Sequence, residues 1–475
     1  MSTRGCSAFL RASKKACSVA ALPQEIVLPE SPEYDDQSRT WAAQWNKKPR
    51  LVVKPKDVGT LSTLMQHLDK SDLAISVRCT GIGNASVKDV LVSLSAFKSF
   101  SFSREDEIIT FGAGHDWGEI DRKVEEQAPG YAAVGARCTY VGVGGSILHG
   151  GQSWLSLEYG LASDPQNLLD AQVVKMDGSI IWASEEPDLL WVLRGGGGGF
   201  AVVAAFKMRV YKYPSSIYCG QIVYPAEALQ DVARQIAAFC SRCSDSRLAL
   251  HLYCLNLSIG AYAGNEPTAG LVIFMYDARG EEHGRSEDGF KWALDIKGAM
   301  DMTTSMNLRG VNQQFDSLKA IMGVINTWQC GATLFTIDKD LILRTWKWYV
   351  DLLQKDPGLA RSTYVLVEVM QKAAYQSLGY PSKETAWPHT RNQHNLLLGA
   401  GRVPGSREGD ALGRQAMVEG PYEIDPRHTK ADYFPNFLDD YVDAKEVFGE
   451  NWTKVVEIKK RYDPLNKLGG VFAKQ

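Results

Sequence analysis

The sequence predicts an α+β protein of two domains, and three observations carry that prediction. The first is size: 475 residues exceed what one ordinary core accommodates. The second is a glycine-dense block from Arg137 to Pro165, with glycines at 142, 144, 145, 150, 151 and 160. They are interleaved with small and branched apolar residues, so the block is not a flexible linker. Glycines held in an ordered segment point to backbone drawn very close to something, or to φ > 0. The third is a change of texture after Tyr213-Pro214, where long apolar stretches suited to sheet strands alternate with helical ones.

Composition sets limits on function. Hydrophobic content of 45% and charged content of 23% are ordinary for a globular protein. A net charge of −3 leaves no electrostatic footprint for nucleic acid or for an anionic membrane. No apolar run reaches 18 residues, so no transmembrane helix is expected. The nine cysteines form an odd, scattered set, which suits reduced thiols in an intracellular, cytoplasmic protein. Cys240 and Cys243 stand alone without a second pair at zinc spacing, so no metal site is expected.

Residues 1–214 read as the first domain, with a basic, small-residue leader over 1–40. RLVVKPKDV is a short strand entering a helix over 57–69. LAISVRCTGIGNAS is a buried strand running into a glycine-bearing loop; DVLVSLSAF and EIITFGAG are strands, and WGEIDRKVEEQ is a helix. Asp177-Gly178 marks a hairpin within NLLDAQVVKMDGSIIWAS. DLLWVLRGGGGGFAVVAAFKMRVY is a helix, a five-glycine turn and a long strand. Residues 215–430 read as an antiparallel sheet covered by helices. Its strands are SIYCGQIVYP, RLALHLYCLNLSIGAYAG, AGLVIFMYDA and RSTYVLVEVM, and its helices lie near 226–242, 281–296 and 339–354. Residues 431–475 are helical, turn at Asp463-Pro464, and return to the first domain.

Two nucleotide-binding motifs fail against the glycines. A dinucleotide fingerprint needs strand, G-x-G-x-x-G, helix, but Gly142-x-Gly144 is followed by Ile147 in the third position. A P-loop needs G-x-x-x-x-G-K-[ST], which does not occur. Gly195–Gly199 follows a helix and precedes a strand, the reverse of both arrangements.

Residues 40–214 resemble the PCMH-type FAD-binding domain of the vanillyl alcohol oxidase and p-cresol methylhydroxylase flavoproteins, and within them the berberine bridge enzyme-like branch. Four blocks carry the resemblance: LVVKPKDV, VRCTGIGN, GARCTYVGVGGSILHGGQSWLSLEYGLASD and DLLWVLRGGGGGFAVVAAFKMRV. RYDPLNKLGG near the C-terminus is similar to the family's closing turn. The resemblance implies FAD, whose pyrophosphate backbone N–H groups in glycine-rich turns would balance. Arg78, Cys79, Thr80, Gly81, Ile82, Gly83 and Asn84 would form one cradle. Cys138, Gly142, Val143, Gly144 and Gly145 would form the second. His149, Gly150 and Gly151 would pass close to the flavin, and Ser153, Gly160, Leu161, Asp164 and Val202 would contact the ring edge or the adenosine half. Many relatives tether the flavin 8α-methyl through a His where this chain has Ile82, so non-covalent FAD is expected. Cys138 matches the second tether, which leaves a thioether open, and a thiol pKa lowered by Arg137 would favour it.

The resemblance does not supply a base. The family places one on the strand after a Pro-His turn, here Leu397-Leu398-Gly399-Ala400, which holds no carboxylate, amide or phenol. Glu368, in the apolar strand YVLVEVM, is one substitute. His251 and Tyr253 alternate on one face of LHLYCL, with Tyr262 and Tyr276 on neighbouring strands. Tyr433 and Asn436 in ADYFPNF match the family's Y-x-N segment beside the flavin, with one extra residue. The implied function is an FAD-dependent oxidoreductase in secondary metabolism. It would oxidise an apolar or phenolic small molecule by hydride transfer to flavin N5, with O2 as acceptor. A flavin-scaffolded isomerase or cyclase, and a non-catalytic FAD-binding protein, are the alternatives.

Overall fold

The computed structural model describes residues 26–257, 269–360, 362–370, 383–389 and 394–472. Its first sheet has the order β1-β2-β4-β3, from β1 (Ile26–Val27), β2 (Leu51–Val53), β3 (Ile75–Arg78) and β4 (Val90–Ser93). β4 runs parallel to both β2 and β3, so the link from β2 to β3 must cross over. Helix α1 (Val58–Asp69) makes that crossing. Asp57 caps it by accepting from the Thr60 N–H, and Leu61, Leu64, Met65 and Leu68 line its buried stripe.

The second sheet has the order β5-β6-β10-β8-β9, with β7 also on β10. These are β5 (Phe100–Ser103), β6 (Ile108–Gly112), β7 (Tyr131–Ala133), β8 (Leu168–Val174), β9 (Ile180–Trp182) and β10 (Val202–Lys212). β8 and β9 are the hairpin around Asp177-Gly178. Helix α2 (Trp117–Gln127) opens with a capping box between Asp116 and Glu119. Helix α3 (Val143–Leu148) lies in the glycine-dense block, and α4 (Pro187–Leu193) leads into the five-glycine turn.

The third sheet has seven strands, all antiparallel, in the order β14-β11-β13-β12-β16-β17-β15. They are β11 (Ile217–Tyr224), β12 (Leu248–Asn256), β13 (Ala269–Asp277), β14 (Met300–Met306), β15 (Asn326–Leu334), β16 (Tyr364–Val369) and β17 (His394–Arg402). Helices α5 (Leu229–Arg242), α7 (Lys339–Lys355) and α8 (Arg407–Ile424) pack on one face; the short α6 (Leu308–Gln313) meets α2 instead. The architecture is the α+β arrangement that the sequence predicts.

Two stretches differ from the sequence reading. The helix expected over 281–296 is two single turns, Glu281–Gly284 and Lys291–Leu294. They are split where the chain folds back tightly, and a Cβ on Gly289 would lie 2.2 Å from the His283 carbonyl. Helix α8 was not expected, because Gly409, Gly413, Gly420 and Pro421 lower its helical propensity. Close packing overrides propensity there: a Cβ at Gly413 would sit 2.6 Å from the Trp328 ring.

Helix α9 (Trp452–Tyr462) packs on α4. Its Lys459 is buried and donates to the carbonyls of Gly199 (2.7 Å) and Gly469 (3.1 Å) and to Asp463 (2.7 Å). The chain's end is thus locked to the five-glycine turn. Among the described residues, all seven cysteines are free thiols and no helix is long and apolar enough to cross a membrane. Lys459→Met leaves the buried Asp463 carboxylate without its cation. It is expected to cost about 3–5 kcal/mol, read as a lower denaturation midpoint in urea. An unchanged midpoint would show that the lock contributes nothing.

Candidate active site

Two glycine loops meet to form one wall. β3 ends at Arg78 and runs into the loop Cys79–Asn84. Asn84 sits in the left-handed region (φ 58°), and its Oδ1 accepts the Ala42 N–H. Across from it, a Cβ on Gly142 would lie 2.7 Å from Cys79 Sγ and 2.8 Å from Thr80 Oγ1, so only glycine permits the approach. At Gly83 and Gly145 a Cβ would meet nothing within 4 Å. Arg78 departs from the expected cofactor contact. Its guanidinium is buried and donates to the carbonyls of Asp36, Gln37, Arg39 and Thr80. Burial lowers its pKa to about 10.

The wall continues through residues 149–164. His149 Nδ1 lies 2.8 Å from the Gly145 carbonyl, and its ring fills the space against Gly197. Gly150 and Gly151 both have positive φ; the Gly151 N–H donates to Asn436 Oδ1 at 3.2 Å. Ser153 Oγ accepts from Leu155, Gly160 (φ 79°) closes the next turn, and the buried Val202 opens β10. Asp164 Oδ2 accepts the Leu161 N–H, while Oδ1 lies 3.0 Å from His389 Nε2. Burial opposes a charge on His389, but the Asp164 carboxylate outweighs it and raises the imidazole pKa.

Ile82 packs with Cys138 around the stacked pair Trp41 and Tyr140. The expectation of an activated Cys138 thiol is corrected. Burial pushes its pKa up to about 11, and the downward pull of Tyr140 and Arg137 does not overcome that. Arg137 is committed elsewhere, to Glu368.

The helix-free face of the seven-stranded sheet meets this wall. Cross-strand pairing places His251 opposite both Phe274 and Glu368, and Glu368 opposite Asn395. Arg137 Nη1 lies 3.0 Å from His251 Nε2, and Nη2 donates to Glu368 Oε1. Asn395 Nδ2 donates to Glu368 Oε2 at 2.9 Å and to Gln152 Oε1. The Glu368 carboxylate outweighs burial and raises the pKa of Arg137. Trp154 stacks on His251 (centroids 4.4 Å apart) and on Tyr276 (5.1 Å). Its Nε1 donates to Asn312, which in turn donates to Asp121 of α2. Tyr253 and Tyr364 lie on the same face, half-buried; Gln329 donates to the Tyr364 oxygen at 3.0 Å. Burial raises the pKa of both phenols, so they stay protonated.

Glu368, His251 and Tyr253 therefore come together, with Tyr276 behind Trp154. Asn436 instead holds Gly151. Tyr433 lies on the helical side of the sheet, near Cys330, Tyr422 and His428. Tyr262 falls outside the described residues. Sequence reasoning missed Arg137, Gln152, Gln329 and Tyr364. Arg137 enters the sequence reading only as a cation that would lower the pKa of the adjacent Cys138 thiol.

The signature of an FAD binding domain matches residues 49–184. The chain is similar to berberine bridge enzyme-like FAD-linked oxidoreductases: it is 31% identical to berberine bridge enzyme-like 22 of Arabidopsis thaliana, over 36% of this chain and 34% of that protein. It is 26% identical to an FAD-linked oxidoreductase of Arthroderma benhamiae, over 56% of this chain and 53% of that protein. It is 23% identical to (R)-6-hydroxynicotine oxidase of Paenarthrobacter nicotinovorans, over 96% and 97% respectively. The fold matches Physcomitrella patens BBE-like 1 with a TM-score of 0.79 at 15% identity, covering 96% of this chain and 97% of that one.

The residues present fit FAD. Gly83 and Gly145 leave open backbone on facing loops, as a flat cofactor carrying a pyrophosphate requires. Two predictions follow from this wall. Precipitation with acid is expected to leave the yellow flavin in the supernatant, and Cys138→Ala to retain the same flavin content; a yellow pellet lost in that variant would establish a thioether. The raised pKa of His389 makes its pairing with Asp164 fully stabilising below the ordinary imidazole value of about 6.5. That stabilisation is lost as pH rises through the folded-state pKa. The thermal midpoint of the wild type should fall towards that of His389→Gln with rising pH; a constant gap would refute the pairing.

Proposed function

We propose that this protein is an FAD-dependent oxidase or dehydrogenase of an apolar or phenolic small molecule, acting in secondary metabolism with O2 as acceptor. The observation that carries this reading is the constellation of Glu368, His251, Tyr253 and Tyr364 facing a glycine-built wall. When bound, FAD supplies a hydride acceptor at N5. Among the described residues of the seven-stranded sheet, Glu368 is the carboxylate on that face. It takes the role of proton acceptor from the substrate's O–H or N–H, at the oxygen that Asn395 orients. Tyr253 and Tyr364 donate hydrogen bonds to substrate oxygens, since each phenol keeps its proton. Trp154, Phe274 and Phe315 supply aromatic surface and exclude water. Similarity to an oxidase named for 6-hydroxynicotine supports a small ring-bearing substrate.

Anaerobic mixing with phenolic and hydroxylated N-heterocyclic donors tests the reading, with bleaching of the flavin as the expected signal. Glu368→Gln is expected to slow that bleaching by about 10²–10⁴-fold at unchanged flavin content. Turnover without bleaching would replace the oxidase reading with an isomerase.

A further inference from the structure

We propose that Arg137 is a positioning residue that fixes the proton of His251 on Nδ1, leaving that N–H as the donor for an oxygen atom of the substrate. The inference rests on the reading of the face between wall and sheet as the substrate site. A guanidinium has five donors and no acceptor, so in its 3.0 Å contact with Arg137 the Nε2 of His251 must accept. A neutral imidazole that accepts at Nε2 carries its hydrogen on Nδ1. His251 is only 3% exposed, and its Nδ1 has no partner among the described residues. A buried donor without a partner is costly unless a ligand satisfies it.

The geometry is over-determined. The second arm of the Arg137 fork donates to Glu368, directly across the ladder from His251. Trp154 stacks on the imidazole face, and the guanidinium carbon lies 6.0 Å from the Trp154 ring centre. The titratable or charged groups around His251 are Arg137 from the wall, Glu368 on β16, Tyr253 on its own strand and Tyr276 behind Trp154. Burial first and Arg137 second hold the imidazole pKa well below its usual value, so the ring stays neutral. A lysine keeps the charge but not the fork, and one ammonium does not reproduce both planar contacts.

The test is ¹⁵N NMR of the histidine-labelled holoprotein, with the His251 signals identified by their loss in His251→Gln. The wild type should show a neutral Nδ1–H tautomer that does not titrate between about pH 5 and 8. In Arg137→Met, the unpaired Glu368 favours an imidazolium, so His251 should titrate inside that window. Flavin reduction by substrate should then gain an acid limb that the wild type lacks. Arg137→Lys should keep the ring neutral but lose the single-tautomer signature. An Nε2–H tautomer in the wild type, or unchanged signals in both variants, would overturn the proposal. The NMR result stands without turnover, so failure of every donor to bleach the flavin would instead count against the oxidase reading.

Discussion

The contact on which the site depends is the approach of Gly142 to Cys79 and Thr80. A methyl group there would overlap the Cys79 sulfur. The approach brings the crossover sheet and the glycine-dense block together as one surface. Everything beyond it is placed by continuation along the chain. Arg137 and Cys138 precede Gly142 by a few residues, and Gln152 and Trp154 follow α3. Close backbone approach thus fixes where each polar group of the wall meets the sheet opposite.

Buried charges do the joining between segments distant in sequence. Arg137 meets Glu368, Asp164 meets His389, and Lys459, paired with Asp463 four residues on, reaches the Gly199 carbonyl of the five-glycine turn. Such pairs add little net stability compared with apolar packing, because both charges lose their hydration. Their effect is geometric, since a mismatched register would leave a charge buried and alone. Two of the three lie where the wall meets residues of the third sheet or its loops. They set how that sheet faces the wall, which hydrophobic contact alone specifies loosely.

Much of this was legible in the sequence, and the limits have physical causes. Hydrophobic periodicity and turn chemistry identified α1, α2, the β8–β9 hairpin and most strands of the third sheet. Helix α8 escaped because its glycines serve packing against Trp328 and Trp348, which no local pattern reveals. The glycine wall was legible because backbone approach demands particular letters at particular spacings. The role of Arg78 was not, since its four carbonyl partners include three that lie about forty residues earlier. Arg137 was misjudged for the same reason. Adjacency suggested that it would act on Cys138, whereas its fork reaches 114 and 231 residues onward, to His251 and Glu368.

That last case explains the missing base. Position 399 of the strand Leu397–Ala400 cannot host one, because Gly399 lies beneath the Tyr364 ring and a Cβ there would be 2.3 Å from it. The phenol occupies the volume that a side chain at position 399 would need. The neighbouring strand β16 then contributes both Tyr364 and Glu368 to the same face, four residues apart along an alternating strand. A carboxylate thus stands on β16, one strand over from that position. A carboxylate there is buried and needs a cation, and the cation comes from the wall, because among the described residues the sheet's strands place no lysine or arginine on that face. Arg137 beside Cys138 is therefore the counterpart of Glu368 on β16, and removing either would leave the other charge buried and unpaired.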